Sequence, residues 1–182
     1  MVLRPQLLSR RQGSGGVSLT TFIVLTDVEK SWVTQWATAI YDSTTGQNLV
    51  DTAINTDIGA KGLDVIGFSG ELAFAKIINQ FPITDTDGPT QIDCVVNGIT
   101  VDVKTTPVDS GHLVVQPKYK GKSAQAFVLI TGTLEEGFHY RGWMWADDVF
   151  QQKYIKNENT IPRFRKAAYG VPQCDLNQGL PK

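Results

Sequence analysis

A chain of 182 residues with 41% apolar and 19% charged side chains is long enough for one domain with its own core, and its composition excludes a disordered tail. A formal net charge of −1 excludes a generally basic nucleic-acid binder, so an anionic partner has to be held by a local basic patch. No apolar run approaches the ~18–20 residues that span a bilayer, and Cys94 and Cys174 form no metal-binding spacing, which fits a cytoplasmic protein with no membrane attachment.

Residues 1–18 carry Arg4, Arg10 and Arg11 ahead of a Gly-Ser-Gly-Gly run, with no apolar segment between, and are expected to form a flexible leader. Residues 19–182 are expected to form one domain. Val17–Leu25 leads into a helix, with a short strand as the alternative. Thr26 or Asp27 can cap that helix, and Glu29 sits in its first turn. Trp32, Val33, Trp36, Ala37, Ile40 and Tyr41 recur at three- and four-residue intervals and give it one apolar face. Asp42–Asn55 reads as polar turns. Gly59, Gly62 and Gly67 make Thr56–Phe68 a loop.

Ser69 is placed to cap a second helix, Gly70–Gln80, apolar on most sides and therefore central, with Glu71 in its first turn. Pro82 ends it, and Ile83–Thr86 with Asp85-Thr86-Asp87-Gly88 reads as a strand start and a turn. After a hairpin over Ile92–Thr106, Pro107–Gly111 is a loop and His112–Gln116 a strand. Pro117–Gln125 is a basic loop, and Ala126–Thr131 a strand buried on both faces. Glu135-Glu136-Gly137 turns into the aromatic strand Phe138–Trp145. Ala146–Tyr154 reads as a helix, since Asp147 and Asp148 come early and Lys153 late. Ile155–Lys182 is mostly irregular, with a strand near Tyr169–Val171. The fold class expected is α/β, or mixed α+β, with a central mixed sheet flanked by helices.

The hairpin carries the chemistry. Asn97-Gly98 is the dipeptide best suited to a type I′ turn, because both central residues need positive φ. Asp93 lies near the start of the first strand. Asp102 and Lys104, two apart on the second, point from one face. Taken alone, Asp102 and Lys104 would make an ordinary same-face ion pair. Two acids and an ammonium in one small volume call for a cation or a catalytic task, because buried like charges are costly. Rival chemistries lack their motifs: there is no Walker A or GxGxxG sequence and no Cys/His cluster for zinc. Gly67-Phe-Ser-Gly-Glu71 breaks the nucleophile-elbow pattern at its last position.

Glu71 on a helix, Asp93 on a strand and Asp102-Val103-Lys104 on its partner resemble the PD-(D/E)xK nuclease superfamily over roughly residues 70–132. Ile92 stands where the family's motif name has Pro. Gly142-Trp143 and the tail near Tyr169-Gly-Val-Pro-Gln173 are similar to small phage-encoded members. The resemblance implies a restriction-endonuclease-like core and a Mg²⁺-dependent (or Mn²⁺-dependent) deoxyribonuclease encoded by a phage or mobile element. Glu71, Asp93, Asp102 and Lys104 would be catalytic. Asp93, Asp102, the Val103 carbonyl and Glu71 would hold metal, as hard oxygen donors suited to these ions. Lys104 would hold or help deprotonate the attacking water.

DNA is the expected partner, and Lys118, Tyr119, Lys120 and Lys122 form the local patch suited to a phosphate backbone. Gln116 is a further candidate for contact with substrate or metal-bound water. Gln116-Pro-Lys-Tyr119 is one residue shorter than the Gln-x-x-x-Tyr motif of related exonucleases, so that role is not transferred. Trp143 and Trp145 are expected in the core. Two alternatives stand beside this reading. One is a non-catalytic DNA-binding or assembly module with the same fold; the other is a junction resolvase or restriction-type endonuclease, which would act as a homodimer.

Overall fold

The computed structural model describes residues 22–45, 59–81, 92–156 and 167–182. The expected leader, most of the polar turns of Asp42–Asn55 and the segment Ile83–Gly88 lie outside the described residues. The chain is mixed α/β. Its elements are β1 (Phe22–Ile23), α1 (Asp27–Thr45), α2 (Gly59–Ile77), β2 (Cys94–Val96), β3 (Ile99–Thr106), β4 (Leu113–Val115), β5 (Ala126–Thr133), β6 (Gly137–Trp145), α3 (Ala146–Val149), β7 (Ile155–Lys156) and β8 (Ala168–Val171).

A five-stranded sheet runs β1-β6-β5-β3-β2. Only β3 and β5 are parallel; the other neighbours are antiparallel. This mixed order follows from the chain path. Asn97 (φ 51) and Gly98 (φ 83) adopt the positive angles of the expected type I′ turn, so β2 and β3 pair directly, Val96 opposite Ile99. Leaving β3, the chain first builds β4 and the basic turn, then returns parallel to β3 as β5. A smaller antiparallel sheet, β4-β8-β7, forms beside it.

The alternation along β5 separates two cores. Ala126, Val128 and Ile130 join Val101 and Val103 of β3 in a cluster with Val33, Leu72 and Phe74 of the helices. Phe127 and Leu129 point the other way, into a cluster with Leu113, Val115, Val149 and Val171. The sheet is thus covered by helices on one face and by the small sheet on the other. β5 is buried on both faces as expected, and Trp143 and Trp145 meet edge-to-face at 4.9 Å against the helix-side core.

Thr26 begins α1 with a capping box: Glu29 N–H donates to Thr26 Oγ1, and Thr26 N–H donates to Glu29 Oε2. Val33 and Ala37 of its expected apolar face are fully buried. Lys76 Nζ lies 2.7 Å from Glu29 Oε2, tying α2 to the start of α1.

Helix α2 departs from the sequence reading. It begins at Gly59, so the part of the expected loop Thr56–Phe68 that is described is helical. Ser69 is not its cap; the Ser69 hydroxyl donates to Val65 O at 2.6 Å, one turn back within the helix. Glu71 therefore lies about three turns in from Gly59, and the helix dipole does not stabilise its charge. Burial of the stretch from Ser69 to Ala75, half-buried only at Glu71, overrides the low helix propensity of Gly62, Gly67 and Gly70. The regular helix ends at Ile77, three residues short of Gln80, in a Schellman motif: Asn79 takes φ 54, Asn79 N–H donates to Lys76 O, and Gln80 N–H donates to Ala75 O.

Two further corrections concern the last third. The helix expected over Ala146–Tyr154 is α3, of four residues, followed by a separate 3-10 turn at Gln152–Tyr154. In the tail read as mostly irregular, β8 is the strand expected near Tyr169–Val171, while β7 and a 3-10 turn at Gln173–Asp175 are ordered elements that were not expected. No helix among the described residues is long and apolar enough to cross a membrane.

Candidate active site

Because β2 begins at Cys94, the edge of β3 that faces it is open beyond Val101, and a side chain takes over. Asp93 N–H donates to Val101 O at 2.8 Å, the last rung of the hairpin ladder. One residue pair further on, Val103 N–H donates 2.6 Å to the Asp93 carboxylate, Oδ2, where a longer β2 would have supplied a carbonyl. Backbone groups of Val101 and Val103 face the same way, so the Val103 carbonyl also points to this open edge.

Asp102 and Lys104 alternate with the valines. Paired in register with Phe127 and Leu129, they project to the face covered by the small sheet. Asp102 is 3% exposed. Its Oδ1 lies 2.5 Å from Lys104 Nζ, a close ion pair along the strand. Glu71, half-buried on α2, comes from the opposite face within electrostatic reach of Asp93 and Asp102. Its neighbour Gly70 lets the helix approach β3 closely: a β-carbon there would sit 1.9 Å from Thr105 Oγ1.

Crowding of acids shows in their proton affinities. Burial, then the Asp93 and Asp102 charges, hold Glu71 well above the usual carboxylate range. Burial and the neighbouring Asp102 push Asp93 up to about 7, against the pull of the Val103 N–H. Burial raises Asp102 as well, although Lys104 opposes the rise. Burial alone would weaken the charge of Lys104, but Asp102 outweighs it and leaves the amine raised. Burial drives the Cys94 thiol to about 12, helped by Asp93 and Glu71; it is free and buried, as expected from its strand.

The donor set is hard oxygen throughout, with acids whose charges repel, which fits a divalent cation. Among the described residues, however, no group of three His, Cys, Asp or Glu side chains is close enough together to hold one.

The basic patch lies next to this cluster. Pro117–Tyr119 forms a 3-10 turn after β4, with Tyr119 N–H donating to Gln116 O. The Tyr119 ring packs against the second core, and Lys104 Nζ stands 4.4 Å from its centroid. Lys118 and Lys122 also approach this ring, at 5.2 and 5.7 Å, and with Lys120 they are exposed. Gln116 is half-buried at the end of β4. The Lys104–Tyr119 contact escaped the sequence reading; the single signal for it was a lone tyrosine inside a lysine run.

No protein-family model matches the chain, and neither a curated protein nor a solved structure shows significant similarity to it.

Proposed function

We propose that the protein is a Mg²⁺- or Mn²⁺-dependent deoxyribonuclease that hydrolyses DNA phosphodiesters by attack of water, on a restriction-endonuclease-like core. The observation that carries this reading is the meeting of Asp93 and the Asp102–Lys104 pair at the open edge of β3, with Glu71 in electrostatic reach.

The carboxylates of Asp93, Asp102 and Glu71 and the Val103 carbonyl would hold the cation. When bound, the metal neutralises charge on the phosphate and makes its water a nucleophile near neutral pH. Lys104, protonated beside Asp102, donates a hydrogen bond from Nζ to the attacking water or a phosphate oxygen as negative charge builds. Its role is to hold the water rather than to take its proton. Lys118, Lys120 and Lys122 supply the electrostatic track for the backbone that a net charge of −1 does not.

A second reading, a DNA-binding module without catalysis, draws on the absence among the described residues of a ready-made metal triad. Calorimetric titration with Mn²⁺ separates the two. The nuclease reading expects saturable binding that Asp93→Asn abolishes; a wild type and variant that bind Mn²⁺ alike would favour the module.

A further inference from the structure

We propose that Tyr119, rather than being a base-stacking contact, is a positioning residue whose ring face holds the Lys104 ammonium against Asp102. The inference rests on the nuclease reading for its catalytic consequence, but the contact itself does not.

An ammonium has three N–H donors on a stem with four rotatable bonds, and left to itself it samples many positions. Lys104 is confined from two directions. Asp102 Oδ1 lies 2.5 Å from Nζ, and the Tyr119 centroid lies 4.4 Å away, within the range of a cation–π contact. Carboxylate and ring between them leave the side chain 24% exposed, so one side of the ammonium remains for water or phosphate.

Tyr119 can serve as a fixed wall because of its own setting. It sits in the 3-10 turn opened by Pro117, packed on the second core, at the end of the strand that runs beneath β3. Lys118 and Lys122 stand further off, at 5.2 and 5.7 Å, and are exposed, so they can follow a DNA backbone while Lys104 stays fixed beside Asp102. A ring face already occupied by Lys104 is poorly available for stacking a base.

The test uses the full chain and the variants Tyr119→Phe and Tyr119→Leu, with circular dichroism to establish that each is folded. Proton–carbon NMR of the Lys104 ε-methylene should show an upfield ring-current shift in wild type and Tyr119→Phe that disappears in Tyr119→Leu. With a linear duplex and Mn²⁺, Tyr119→Leu should lower kcat about tenfold with KM within about twofold, and Tyr119→Phe should restore most of the rate. An unshifted Lys104 in wild type overturns the proposal whether or not the protein cleaves DNA. A Tyr119→Leu variant with raised KM and unchanged kcat also overturns it, because that is the signature of a DNA contact. A wild type that cleaves none of linear, nicked, branched and single-stranded DNA, yet shows the shifted Lys104, defeats the nuclease reading and upholds the contact.

Discussion

Asp93 is held where burial and Asp102 disfavour its charge, as the nuclease reading expects of a metal-binding acid. Its Oδ2 closes the hairpin by accepting from Val103 N–H, a bond that an asparagine oxygen can also make. The negative charge adds nothing to that bond that outweighs burial beside Asp102. Asp93→Asn should therefore raise the melting temperature of metal-free protein by a few degrees, about 1 kcal/mol, while it removes Mn²⁺ binding. A differential scanning experiment with and without Mn²⁺ checks both halves. Glu29 shows the opposite balance: burial raises it, but Lys76 and the capping hydrogen bonds lower it further. A lowered folded-state value means that its stabilisation is present above the unfolded carboxylate's pKa and is lost as pH falls through the folded one. Melts of wild type and Glu29→Gln should differ by about 1 kcal/mol near neutral pH and converge below pH ~4.

Two glycines of α2 make opposite predictions at the scale of the element. Gly70 touches β3, where a methyl group would meet the Thr105 side chain at 1.9 to 2.8 Å, so Gly70→Ala should cost about 1–3 kcal/mol and displace Glu71 from the cluster. Gly67 has nothing within 4 Å of an added methyl, and Gly67→Ala should stabilise by about 0.5–1 kcal/mol through helix propensity alone. Urea unfolding of the two variants checks the contrast. Read as a sequence, Gly67 belonged to a loop and Gly70 opened a helix, because local propensity contains no information about the Gly70–Thr105 approach. The hairpin was legible for the converse reason: Asn97-Gly98 fixes its turn, and a period of two fixes the shared face of Asp102 and Lys104. Charge order misled over Ala146–Tyr154, where it matched a helix that stops at Val149.

Across the whole molecule, what the sequence withheld was long-range. The small sheet joins β4 to β8, and the basic turn that follows β4 meets Lys104 through Tyr119. The two cores then clamp β3 between them, with Val101 and Val103 in one, and Asp102 and Lys104 on the side of the other. The nuclease reading draws on this placement of a buried acid, a half-buried acid and a lysine at a strand edge beside exposed lysines. The most direct test is cleavage of linear, nicked, branched and single-stranded DNA by purified protein in Mg²⁺ or Mn²⁺, beside Asp102→Ala and Lys104→Ala. The nuclease reading expects the wild type to cut at least one of these substrates and each variant to lose at least about a hundredfold in rate. Wild type and variants that leave all four substrates equally intact would contradict it.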